Sequence, residues 1–99
     1  MELKLINNEP QKRFEVHYEN SIAFVDYKLF KGGIAYIHTE VPKALSGKGI
    51  GSFLAKGVLD YADENGLKVK PYCPFIKAYI DRHVEYQKNS IFHQKDEGV

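Results

Sequence analysis

Val41-Pro42-Lys43-Ala44-Leu45-Ser46-Gly47-Lys48-Gly49-Ile50-Gly51 divides this 99-residue sequence into two regimes, because the spacing of apolar residues changes across it. Upstream the period is two. Phe14, Val16 and Tyr18 alternate with polar neighbours, so Arg13 to Glu19 is predicted to be a half-buried strand. Asn20 offers turn chemistry, and Ile22 to Phe30 resumes as a second strand through Ile22, Phe24, Tyr27 and Leu29. Lys31-Gly32-Gly33 is another turn signal, followed by a third strand, Ile34 to Val41, that Pro42 ends. These three strands form an antiparallel meander.

Downstream the period becomes helical. Ile50, Phe53, Leu54, Val58 and Tyr61 fall on one face of a helix from Gly49 to Glu64, stopped by Asn65-Gly66. Leu67 to Cys73 is a short strand whose Pro71 marks an edge or a parting from its neighbour. Pro74 can open a second helix at its first turn, with Phe75, Ile76, Tyr79, Ile80 and His83 as its apolar stripe. The expected fold is therefore α/β (α+β), one domain over residues 1–99, with a polar tail at 87–99 that frays.

Bulk properties narrow the function classes. With 43% hydrophobic and 27% charged residues the chain is a folded globular domain, and its formal charge of +1 provides no basic field for nucleic acid. A single cysteine, Cys73, precludes an internal disulfide and fits a reducing compartment. Neither a signal-peptide core nor a run of roughly 18 apolar residues is present, so no membrane partner and a cytoplasmic location are expected.

A strand that enters a glycine-rich turn and then a helix is an anion site, since successive N–H groups and the positive helix end converge there. A magnesium-nucleotide loop needs a hydroxyl after Gly47-Lys48, where Gly49 stands. A dinucleotide fingerprint begun at Gly47 and Gly49 places Ser52 at its third glycine, and the turn follows a meander instead of opening a βαβ unit.

The arrangement resembles that of the GNAT superfamily of acetyltransferases, whose signature is Gln/Arg-x-x-Gly-x-Gly/Ala. Gly49 and Gly51 take its glycine positions, and Ser46 stands where Gln or Arg is usual. His38-Thr39-Glu40-Val41-Pro42, Pro71-Tyr72-Cys73-Pro74 and His83-Val84-Glu85-Tyr86 extend the likeness to a subfamily of minimal, one-domain GNAT proteins about as long as this chain. The resemblance implies a mixed sheet in which Ile34 to Val41 pairs with the pantetheine arm and Leu67 to Cys73 splays away to admit an acetyl thioester. It implies acetyl-CoA as cofactor, bound through Thr39, Val41, Ser46, Gly47, Lys48, Gly49, Ile50 and Gly51. The implied activity is acetyl transfer to a primary amine, on a small molecule or a protein lysine. The alternative is a coenzyme A sensor or protein-interaction module without catalysis.

Acetyl transfer needs a base, a polarised carbonyl and a proton for the departing thiolate. His38 and Glu40 share one face of the third strand, with Ile37, Thr39 and Val41 on the other; each is a candidate base, the alternative being that Glu40 accepts backbone N–H bonds of the following loop and His38 packs in a half-exposed pocket. Cys73 lies where the resemblance puts the acetyl group, either as an acyl carrier or as a small buried hydrophobe. His83, on the same helix, could approach Cys73 or satisfy a core hydrogen bond. Tyr79 and Tyr86 are candidate proton donors to the thiolate. His17 and His93 are expected to face solvent, and no metal site is expected.

Overall fold

Alternation of apolar and polar residues produces a five-stranded sheet in a computed structural model that describes residues 2–94. Its strands are β1 (Ile6–Asn8), β2 (Arg13–Tyr18), β3 (Ser21–Phe30), β4 (Gly33–Glu40) and β5 (Lys68–Pro71), in the order β1-β2-β3-β4-β5. The first four are antiparallel neighbours, and β5 lies parallel to β4. A parallel neighbour requires a crossover, supplied by α1 (Ile50–Glu64). A second helix, α2 (Pro74–Arg82), follows β5.

Both helices pack on one face of the sheet. Phe14, Val16, Val25, Tyr27 and Tyr36 from the strands meet Ile50, Leu54 and Val58 of α1 and Ile76 and Ile80 of α2 in one buried cluster. Tyr36 is fully enclosed, and its hydroxyl donates to the Val58 carbonyl of α1 at 2.5 Å; no buried side-chain nitrogen or oxygen among the described residues lacks a partner. Burial pushes its phenol far above the ordinary tyrosine range. Among the described residues the opposite face carries no helix, and it exposes Ile22.

Two features depart from the alternating pattern. β1 arises from Ile6-Asn7-Asn8, which has no strand periodicity; it is held as an edge by pairing Ile6 with Glu15 and by the Tyr27 hydroxyl donating to Asn7 Oδ1 at 2.7 Å. In β4, Tyr36 faces Tyr27 and His38 faces Asp26, so Ile37 is an extra residue, a β-bulge. The bulge changes which residues point inward. Above it Tyr36 shares the helix side with Tyr27, and below it Thr39 does so through its partner Val25.

The tail expected to fray from residue 87 is folded as far as Gln94. Val84–Asn89 and Ile91–His93 form 3₁₀ turns, Ser90 between them is fully buried, and its backbone bridges Val69 alongside β5. Side chains replace the missing apolar signal. Tyr86 donates to Asp60 at 2.7 Å, Asn89 to Asp63 at 2.8 Å, and Gln94 Nε2 to the carbonyls of Gln87, Lys88 and Ser90. His93, expected in solvent, is instead wedged between the Ser90 hydroxyl and Asp81. Residues 95–99 of that expected tail lie outside the described residues. No described helix is long and apolar enough to cross a membrane.

Candidate functional site

The loop after β4 is anchored by a 3₁₀ turn, Lys43–Leu45, whose Leu45 side chain enters the core. From there the chain reaches α1 through two left-handed residues, Gly47 (φ 77°) and Gly49 (φ 78°). A Cβ at either would meet open space, so glycine is needed at both for conformation and not for room. Gly49 is the N-cap of α1, no side chain caps the helix, and no acidic residue occupies its first turn. The amides of Ile50, Gly51 and Ser52 therefore have no acceptor inside the helix and carry its positive end.

These amides border an open depression of ≈ 370 Å³. Its polar lining is Ser46, Gly47, Gly49, Gly51 and Ser52, and its apolar wall is Val41, Leu45, Ile50 and Phe75. Phe75, by its spacing part of the apolar stripe of α2, also reaches this wall. It is 38% exposed, and its ring lies so close to Gly51 that a Cβ there would come within 3.1 Å of Cζ. Gly51 is thus a glycine of close approach. Lys48 does not line the depression; its ammonium stands 5.8 Å from the Tyr18 ring centroid, toward β2. Moving it from the ring to a solvated phosphate exchanges a contact of about 0.5–1 kcal/mol for one of about 0–1 kcal/mol.

Beside the depression the sheet divides. Pairing of β4 with β5 ends at Tyr36 and Pro71, and the last link is the Cys73 amide donating to the Tyr36 carbonyl at 2.9 Å. His38 to Glu40 pair with β3 alone, leaving one backbone edge of β4 free.

The bulge and the division sort the candidate residues onto two sides. Thr39 and Cys73 meet on the helix side, where the 3%-exposed thiol donates to Thr39 Oγ1 at 3.0 Å. His38 and Glu40 lie on the helix-free side in register with Asp26 and Phe24, and both are exposed. Glu40 has no ion pair or side-chain hydrogen bond among the described residues. In the same row of the sheet, across Phe24, Glu15 is the opposite case. Its carboxylate is buried and accepts from His17 at 2.7 Å, Arg13 at 2.7 Å and Asn8 at 2.9 Å; chiefly the His17 bond, then Arg13 and Asn8, lowers it to about 2 against the cost of burial.

His83 is not brought to Cys73. The two flank opposite ends of α2, about 15 Å apart at the helical rise. The His83 ring stacks on Tyr79 at 3.9 Å, and its Nδ1–H donates to the Tyr79 carbonyl at 2.8 Å. Tyr79 and Tyr86 gather at that same far end, 6.1 Å from each other. Burial raises both phenols, and the Asp60 carboxylate raises Tyr86 further. His17 is exposed as expected but is tied to Glu15. Among the described residues no cluster of His, Cys, Asp and Glu could hold a metal ion.

Known proteins share this arrangement. The family described as GCN5-related N-acetyl-transferase matches residues 13–89. A solution structure of a GCN5-like N-acetyltransferase candidate from Staphylococcus aureus superposes with a TM-score of 0.73 at 27% identity, covering 97% of this chain and 94% of that one. Protein NATD1 from Xenopus tropicalis is 28% identical over 82 residues, 79% of this chain and 74% of the relative. Human Protein NATD1 is 46% identical over 43 residues, 43% of this chain and 38% of that protein. A mixed sheet divided beside a glycine-entered helix N-terminus defines an N-acetyltransferase fold. The chain belongs to the GCN5-related N-acetyltransferase family.

Proposed function

We propose that this protein binds acetyl-CoA and transfers its acetyl group to a primary amine. The observation that carries this reading is the uncapped N-terminus of α1, whose amides open into a depression next to the division between β4 and β5. The residues present fit the donor. Amides of Ile50, Gly51 and Ser52 are hydrogen-bond donors at a positive helix end, suited to a pyrophosphate. Val41 and Phe75 form an apolar wall for the arm that follows, and the free edge of β4 offers backbone groups to its amides. Ser46 contributes at most one hydroxyl, so backbone groups carry the affinity.

For the reaction, the amine nitrogen must lose a proton, bond to the thioester carbonyl carbon and displace the thiolate, which must gain one. Glu40, exposed and unpaired on the helix-free side, takes the proton of the incoming ammonium, with His38 beside it. Cys73 and Thr39 touch on the helix side, and this reading assigns the acyl group to that position. Amide spectra of Gly47, Gly49 and Gly51 are expected to shift on titration with acetyl-CoA to millimolar concentration. Unmoved amides refute the binding claim.

Catalysis is tested separately, by release of free coenzyme A above the uncatalysed rate with polyamines, amino acids and lysine peptides. Intact mass after incubation with acetyl-CoA reads whether Cys73 carries the acyl group; a Cys73→Ala variant with unchanged turnover removes Cys73 from the mechanism. The near-complete burial of Cys73 favours a second reading, a coenzyme A sensor. Intact binding with no turnover across the amine panel selects it.

A further inference from the structure

Coenzyme A presents two kinds of phosphate, a pyrophosphate in mid-molecule and a 3′-phosphate on the ribose at the far end. The depression beside α1 matches only the first. Its lining consists of glycines, two serines and apolar side chains, and no Lys, Arg or His among the described residues contributes to it. The nearby cations are occupied or stand elsewhere. Lys56, on the second turn of α1, is held by Asp60 at 2.6 Å. Lys48 lies over Tyr18 on the β2 side of the loop, and its transfer to a solvated phosphate breaks even. Lys43 sits exposed in the 3₁₀ turn and does not reach the lining.

We propose that donor recognition in this protein ends at the pyrophosphate, so that dephospho-coenzyme A thioesters are donors of the same standing as coenzyme A thioesters. The proposal rests on the acyl-CoA reading above. It assigns the affinity to the amides of Ile50, Gly51 and Ser52 and to the apolar wall, and nothing to the 3′-phosphate.

The test is binding to the full chain, followed by the amides of Gly47 to Ser52 during separate titrations with coenzyme A and dephospho-coenzyme A. The two affinities are expected to agree within about fivefold, the most that one exposed ion pair contributes. A larger deficit for dephospho-coenzyme A overturns the proposal, whereas failure of both ligands to bind refutes the acyl-CoA reading instead. Lys48→Ala and Lys43→Ala are each expected to keep coenzyme A affinity within about twofold, as surface changes away from the phosphate. A loss beyond about fivefold in either variant that dephospho-coenzyme A does not share identifies a 3′-phosphate clamp and overturns the proposal.

Discussion

β4 is one strand with two unlike halves. Gly33 to Tyr36 is paired on both edges and buried throughout, while His38 to Glu40 is paired on one edge and largely exposed. The first half serves the fold: Ile34 and Tyr36 enter the core and Gly33 lets the Phe30 ring and the β5 backbone close over it. The second half serves the site. Eight residues thus show that a sheet can be made rigid up to one position and chemically available from the next.

Substitutions should separate the halves. Gly33→Ala places a Cβ 2.1 Å from Phe30 Cζ and 2.6 Å from the Lys68 carbonyl oxygen. The ring can turn, but the carbonyl cannot move without shifting β5, so a loss of about 3 kcal/mol in denaturant unfolding is expected, at the upper end of overpacking. A near-neutral result would mean that the first half is as loose as the second. Glu40→Gln should leave thermal stability unchanged and lower kcat/KM for an accepted amine about 100-fold, within the range of general-base catalysis. Unchanged kinetics would transfer the role to His38.

Glu15, in the same row, should behave in the reverse way. Its folded value of about 2 lies below the ordinary 4.5, so its contribution is full above pH 4.5 and is lost as pH falls toward 2. The wild-type unfolding midpoint should drop across that window more steeply than that of Glu15→Gln, with parallel curves arguing against a native-state role for the carboxylate. Tyr36→Phe removes one buried donor to Val58 and should cost about 1 kcal/mol. Thr39→Val removes only the acceptor of the Cys73 thiol and should stay within about 0.5 kcal/mol. A cost equal to that of Tyr36→Phe would show that the second half also bears on stability.

Long periodic segments were legible in the sequence because burial alone dictates them. β2, α1 and α2 follow their apolar spacing; β3 was legible as a strand although its buried side is Ala23, Val25 and Tyr27 and not Ile22 and Phe24, β4 was legible up to its bulge, and the glycine turn follows from backbone geometry that other residues rarely adopt. Elements made by partner and not by pattern were not legible. β1 depends on the register of β2, and the turns after Arg82 depend on Asp60 and Asp63, which are distant in sequence, and on Asp81 at the end of α2. The site was read in the same proportion. Its glycines were visible, but the place of Lys48 over Tyr18, the separation of His83 from Cys73 and the ring of Phe75 over Gly51 require α1, α2 and β2 to be assembled first.

The single extra residue at Ile37 has a consequence for how this strand tolerates change. Side-chain direction along β4 follows the parity of residue number, and the insertion reverses that parity midway: even numbers point to the helices at Tyr36, odd numbers at Thr39. Removing Ile37 would restore one parity throughout. His38 would then follow Tyr36 directly and keep Asp26 as its partner, with Thr39 still beneath the helices opposite Val25 and Glu40 still opposite Phe24, so losing this residue straightens the strand while each side of the site keeps its residues.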